Sequence, residues 1–354
     1  MAPTKQDRVL GGLLGVHAGD SLGATLEFKT WTAVKSKHPT GLREIIGGGN
    51  FNWPAGAATD DTDLTRAVLL AYRDRAKLQR EGADETDPNK GKDLVMTAAN
   101  YMLDWYNKGP MDVGMATGAA LSNLKRSRNP TTSGMGEKNA GNGTLMRCIP
   151  TGLFVEDQKQ IEEESINISN ITHRDSECAL SCAVYNTMVS HLIRGQTAEE
   201  AYNAGMGVVK RWQGAEPKGG FRYKAALSVE RVLEAGKELV NLDDFATNGP
   251  SKAANWRTVM PENARGYVLD SLLLAVAALF DTRSLEHVLV DVVRVGQDTD
   301  TNGAIAGGIL GARDGVGAIP LRWREKLQFR SEFEDIVDYM LQSAGTGAGD
   351  STSG

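Results

Sequence analysis

Two acidic runs, Thr59-Asp60-Asp61-Thr62 and Asp298-Thr299-Asp300-Thr301, stand near opposite ends of the chain, and each opens into a stretch of helical patterning. Neighbouring carboxylates repel one another, so a fold that gathers four of them needs cations to neutralise the charge. Mg²⁺ and Mn²⁺ favour such an all-oxygen set. Two ions roughly 3.5–4 Å apart would fit this many carboxylates, and could orient a substrate while activating water. Aspartate and threonine are also good helix N-caps, so either run alone reads as readily as a cap. Two such runs, each before a helix, favour the cation site.

The elements that must bring the two runs together are helical. Val9, Leu10, Leu13 and Leu14 recur at helical spacing, as do Leu64, Val68, Leu69 and Tyr72, then Met96, Tyr101, Met102 and Trp105. Alternation with a period of two is confined to short pieces, so the expected fold class is all-α. Gly11, Gly15, Gly19 and Gly23 fall four apart in the first helical stretch, and Gly303, Gly307 and Gly311 repeat the spacing after the second acidic run. Glycine inside a helix costs about 0.8–1 kcal/mol relative to alanine, so a one-sided stripe of it implies that another backbone approaches there. The two glycine helices are therefore expected to pack together, with Asp20, Glu27 and both acidic runs in one neighbourhood.

The 354 residues, 41% of them hydrophobic, suffice for one large core, and no linker divides them. One domain is expected over residues 1–343, with a charged, mobile surface insertion at 75–93 and a disordered tail at 344–354. The net charge of −6 argues against a nucleic-acid surface. Lys125, Arg126 and Arg128, the nearest approach to a basic patch, read as a solvated face. Three cysteines, Cys148, Cys178 and Cys182, are too few for a disulfide framework and fit a reducing, cytoplasmic compartment. The start lacks the apolar run of a secretory signal. Leu272–Phe280, the most apolar segment, is far short of the roughly 20 residues that cross a bilayer and reads as a buried core helix.

The motifs Gly19-Asp20-Ser21-Leu22-Gly23-Ala24 with Glu27, Thr59-Asp60-Asp61-Thr62, Asn142-Gly143-Thr144-Leu145-Met146-Arg147 with Pro150, Thr172-His173, and Gly296-Gln297-Asp298-Thr299-Asp300-Thr301-Asn302-Gly303 follow in that order. Together they resemble the ADP-ribosylglycohydrolases, the dinitrogenase reductase-activating glycohydrolase type in particular, from about Arg8 to about Trp323. The resemblance implies a compact, all-α orthogonal bundle around a two-metal cleft. It also implies hydrolysis at C1″ of the distal ribose of an ADP-ribosyl adduct. By the same resemblance the ligands of two Mg²⁺ or Mn²⁺ ions are Thr59, Asp60, Asp61, Asp298, Asp300 and Thr301, gripping the ribose 2″ and 3″ hydroxyls. A carboxylate must then guide the proton of the polarised water away. Asp61 and Glu27 are both candidates, and Glu27 also reads as an ordinary helix-end glutamate. Gln297 departs from the pattern, since many relatives carry glycine there, so the approach to the second acidic run is expected to differ.

The remaining motifs are expected to hold the rest of the substrate. The loop Ala140-Gly141-Asn142-Gly143-Thr144 has the freedom to present N–H groups to a phosphate, with Arg147 just beyond, although Gly-Asn-Gly is equally a turn. His173 reads as a ligand contact or a structural hydrogen-bonding residue at a helix start. Tyr267 is an adenine-stacking candidate or a core aromatic. Asp112 reads as the partner of a guanidinium leaving group, because a carboxylate accepts two parallel bonds from arginine, or as an N-cap after Pro110. The expected activity is thus metal-dependent release of ADP-ribose from protein arginine. The alternatives are a serine- or O-linked adduct, ADP-ribose-1″-phosphate, or a non-catalytic ADP-ribose-binding protein. No nucleic acid or membrane is expected as partner, and a monomer fits the sequence.

Overall fold

The computed structural model describes residues 2–80, 93–239, 242–243 and 265–342. In chain order its α-helices are α1 (Lys5–Gly23), α2 (Trp31–Lys37), α3 (Asp60–Arg80), α4 (Leu94–Asn107), α5 (Met115–Ser127), α6 (Pro130–Ser133), α7 (Ile149–Phe154) and α8 (Gln158–Asn170). There follow α9 (Ser176–Ile193), α10 (Ala198–Ala215), α11 (Phe221–Glu238), α12 (Val268–Phe280), α13 (Leu285–Arg294), α14 (Thr299–Asp314), α15 (Leu321–Arg324) and α16 (Arg330–Gln342). A 3₁₀ turn spans Asn142–Arg147, and the described residues hold no strand, only isolated bridges such as Gly141 with Tyr267. The all-α expectation is met.

Local chemistry starts these helices. Thr4 and Asp7 form a capping box on α1, and Thr197 and Glu200 form one on α10, each satisfying two of the N–H groups a helix start leaves open. Asp93, Asp157 and Asp175 cap α4, α8 and α9 through their side chains. Cap residues set where a helix begins, but burial sets how the helices assemble. From Gly11 to Gly23 every residue of α1 is buried, as is every residue of α12 from Val268 to Leu279. Such helices can only lie at the centre, with amphipathic ones around them.

The glycine stripes do what their spacing predicts. A Cβ built on Gly15 would strike the carbonyl of Gly307, one on Gly19 that of Gly303, and one on Gly23 that of Thr299. In return, Gly311 sits against the carbonyl of Gly11. α1 and α14 thus meet backbone to backbone along their whole shared length, the most extensive helix pair among the described residues. That contact places the C-terminal end of α1 beside the N-terminal end of α14.

The expected insertion at 75–93 is corrected at its start, because α3 continues without a break to Arg80. Arg75 is anchored there by Glu164 at 2.5 Å and lies over the Tyr72 ring at 4.8 Å, which extends the helix beyond its apolar stripe. Residues 81–92 and the tail at 344–354 lie outside the described residues. Lys125, Arg126 and Arg128 are exposed, as a solvated face requires. The three cysteines are free and buried, and no helix among the described residues is long and apolar enough to cross a membrane.

Candidate active site

Four segments converge on one acidic cleft. Asp60 and Asp61 open α3, Asp298 and Asp300 flank the start of α14, Glu27 follows the end of α1, and Asp112 comes from the bend before α5. Oxygens of Glu27, Asp112 and Asp300 lie within 4.8 Å of one another, a spacing able to hold a cation. Asp61, Asp300 and Glu27 are buried in the floor, whereas Asp60, Asp112 and Asp298 are partly open. Asp112 is not an N-cap, since α5 starts after Gly114 with no side-chain cap. Its carboxylate belongs to the acidic group.

Burial and mutual repulsion act together on these groups. Glu27 is pushed up to about 9 by desolvation and by the charges of Asp112, Asp298, Asp60 and Asp20. Asp60, Asp61 and Asp300 are held well above the usual carboxylate range, first by burial and then by neighbouring carboxylates. One oxygen each of Glu27 and Asp61 is buried without a hydrogen-bond partner. An uncompensated buried carboxylate oxygen is costly, and a cation is the partner that its chemistry calls for. The residues therefore fit divalent metal.

A second layer of hydrogen bonds orients the acids. Asp61 Oδ2 accepts from Thr59 Oγ1 at 3.0 Å and from Thr301 Oγ1 at 3.4 Å, so the two runs touch through it. Asn142 Nδ2 donates to Asp298 Oδ2 at 2.7 Å and to Ser271 Oγ at 2.9 Å, and Ser271 Oγ donates to Asn302 Oδ1 at 2.8 Å. Asp298 caps α14 by position only, with no side-chain cap bond. Gln297 adopts φ 66°, the left-handed region that favours glycine, so the approach to the second run keeps a glycine-like backbone rather than the altered one expected. Phe28, also left-handed at φ 60°, donates its N–H to the Gln297 carbonyl, and Gln297 donates to that of Lys29, both at 2.7 Å. This reciprocal pair ties the Glu27 segment to the second acidic run.

The expected substrate residues divide. Gly143 and Asp112 are partly open, and Tyr267 is exposed, with its hydroxyl donating to Glu177 Oε2 at 2.7 Å. Tyr267, Phe221, Lys224 and Glu177 line a cavity of about 370 Å³. The Asn142 N–H donates to the Gly266 carbonyl at 2.9 Å, which joins this wall to the acidic cleft. A larger cavity, about 690 Å³, is lined by residues such as Phe280, Arg283 and Arg313 and contains none of the acids.

Arg147, Thr144 and His173 are buried, as is Asn142. The Arg147 guanidinium donates to the carbonyl of Gly143 and, at 2.7 Å, to Thr172 Oγ1, bracing the glycine loop from behind. Thr144 turns toward Cys182. His173 is pushed down to about 3 by burial and so is neutral, packed under the loop where a Cβ on Gly141 would come within 3.1 Å of its Nε2. The residues that sequence reasoning left without a role are Asn302, which lies within the second acidic motif, and Ser271, which carries no motif signal.

The whole chain matches known proteins in the same way. The model of the ADP-ribosylglycohydrolase family matches residues 1–349. The ADP-ribosyl-[dinitrogen reductase] glycohydrolase of Rhodospirillum rubrum is 28% identical over 97% of this chain and 98% of its own. The ADP-ribosylarginine hydrolase Tri1 of Pseudomonas putida is 25% identical over 96% of this chain and 79% of its own. A solved structure, an ADP-ribosylglycohydrolase-related protein complex, superposes with a TM-score of 0.70 at 28% identity, over 96% of this chain and 98% of that one. With the family model spanning nearly the whole chain and the fold shared with a solved relative, the chain belongs to the ADP-ribosylglycohydrolase family and is a hydrolase of ADP-ribosyl groups.

Proposed function

We propose that the protein is a Mg²⁺- or Mn²⁺-dependent hydrolase that cleaves the C1″ bond joining ADP-ribose to protein arginine. The observation that carries this reading is the convergence of six carboxylates, two of them with partnerless buried oxygens, on one cleft. Asp60, Asp61, Asp298 and Asp300 would hold the cations, with Thr59 and Thr301 as hydroxyl ligands. Divalent cations bound there would supply Lewis-acid polarisation of water and a grip on the ribose diol.

The chain's own residues carry the rest. Between Asp61 and Glu27 as proton acceptor, the ligand set favours Glu27: each keeps one partnerless oxygen, but that of Asp61 is assigned to the cations, whereas Glu27 is outside the ligand set and keeps Oε2 for the water. Glu27 Oε2 would take the proton of the attacking water. The backbone of Gly143 would face the phosphates, with the Asn142 N–H already bonded to the Gly266 carbonyl, and Tyr267 would form the wall against which the adenine stacks. Asp112 would receive the guanidinium of the leaving arginine. Two relatives support the arginine substrate by name, the Pseudomonas putida and Serratia proteamaculans ADP-ribosylarginine hydrolases Tri1. A second reading, an O-linked adduct, rests on the place of Asp112 beside Glu27 and Asp300, where a cation would occupy it and withdraw it from guanidinium binding.

Incubation with ADP-ribosylarginine, ADP-ribosylserine and ADP-ribose-1″-phosphate, each with Mg²⁺, Mn²⁺ or chelator, separates these readings. Release of ADP-ribose from the arginine adduct alone, abolished by chelator, is expected. Cleavage of only the serine adduct or the phosphate would replace the arginine assignment.

A further inference from the structure

We propose that Asp20 is a positioning residue that sets the first acidic run in register with the second, and so governs cation affinity through the placement of that run; this rests on the cation reading above. Two faces of α1 meet at this residue. The glycine face locks α14, and with it Asp298 and Asp300, against α1. The other face carries His17, Asp20 and Ser21, at the i, i+3, i+4 spacing that shares one side of a helix.

All three side chains on that face hold the segment leading into α3. His17 Nε2 donates to the Gly56 carbonyl at 3.2 Å, and Ser21 Oγ donates to that of Ala57 at 2.9 Å. Asp20 Oδ2 accepts the N–H groups of Thr59 and Thr62, at 3.1 and 3.2 Å, together with the Thr62 hydroxyl. One buried oxygen on α1 thus does for α3 what an N-cap on its own strand of chain would do. Asp60 and Asp61 lie between its two backbone donors. Asp61 Oδ2 in turn meets Thr301 of α14, a contact that depends on where the first turn of α3 is held. Asp20 is wholly buried, its Oδ2 engaged with the start of α3 and its Oδ1 without a hydrogen-bond partner.

The test is Mn²⁺ binding to the full chain by equilibrium dialysis, beside amide hydrogen exchange of the metal-free protein. Asp20→Ala is expected to weaken Mn²⁺ binding about 10- to 100-fold, the usual effect of removing a group that orients metal ligands. It should also speed exchange at the Thr59 and Thr62 amides. Asp20→Asn, which keeps one acceptor oxygen, is expected to recover most of both. Thr62→Val should weaken binding less, and should add nothing in the Asp20→Ala background because it acts through Asp20. Unchanged Mn²⁺ affinity in a folded Asp20→Ala overturns the proposal, as does unchanged affinity in Thr62→Val should Asp20→Ala not fold. Failure of the wild type to bind Mn²⁺ overturns the cation reading itself, and is told apart because it appears without any substitution.

Discussion

At the scale of single residues, the cleft is a set of acids whose charges oppose folding until something neutralises them. Asp60→Asn and Asp300→Asn each remove one charge with little change of volume. Both should fold, yet lose turnover at limiting metal; near-wild-type rates under those conditions would count against the two-cation site. Glu27→Gln tests the proton acceptor separately. It keeps the size of the side chain but cannot take a proton, so kcat should fall by about 10²–10⁴ while ADP-ribose affinity, measured by calorimetry, changes little. If Asp61→Asn instead shows that pattern and Glu27→Gln does not, the assignment reverses.

At the scale of elements, geometry depends on positions where a side chain has no room or the backbone is bent away from its usual range. Gly15→Ala improves helix propensity by about 1 kcal/mol. The new Cβ would nevertheless meet the Gly307 carbonyl, and backbone cannot yield there as a flexible side chain would. A net loss of about 1–3 kcal/mol is expected in urea unfolding, and an unchanged midpoint would mean the helices can slide apart freely. Gln297 holds φ 66° between the Glu27 segment and Asp298. A β-branched residue tolerates that conformation poorly, so Gln297→Val should cost about 1–3 kcal/mol and loosen the Phe28–Gln297 pair, whereas Gln297→Gly should be neutral or stabilising.

At the scale of the whole molecule, the acidic cleft couples stability to pH and to metal. Glu27 and Asp20 hold their protons in the folded state up to about 9 and about 7, whereas the unfolded chain releases them in the ordinary carboxylate range near pH 4. Between those limits the folded state binds more protons, so these groups lower stability as pH rises. In chelator, the melting temperature should therefore decline from about pH 5 to about pH 9, and Mn²⁺ should restore it, with proton release in the middle of that window, where the folded acids are still protonated. A melting temperature that climbs with pH across that window would contradict the protonated cleft. ADP-ribose and Mg²⁺ together should raise it by more than the sum of either alone, because a diol shared with the cations couples the two binding free energies.

What the sequence determined by itself was whatever rests on spacing along one chain. Helical periodicity marked an all-α protein, the fourfold glycine spacing marked a backbone contact, and paired Asp-Thr runs marked the acidic cleft. Tertiary structure alone decided which way the remaining side chains face. Thr144 ends a loop of phosphate-binding type and Arg147 lies just beyond it, yet both are buried, with a thiol and carbonyl groups as partners. Asp112 joins the acids because α5 starts at Met115 rather than at the proline, leaving its carboxylate free to enter the cleft. Asp20 caps a helix that begins some forty residues later in the chain, a role no local pattern encodes, since a cap is defined by the N–H groups brought to it and only the packing of α1 against α3 brings them.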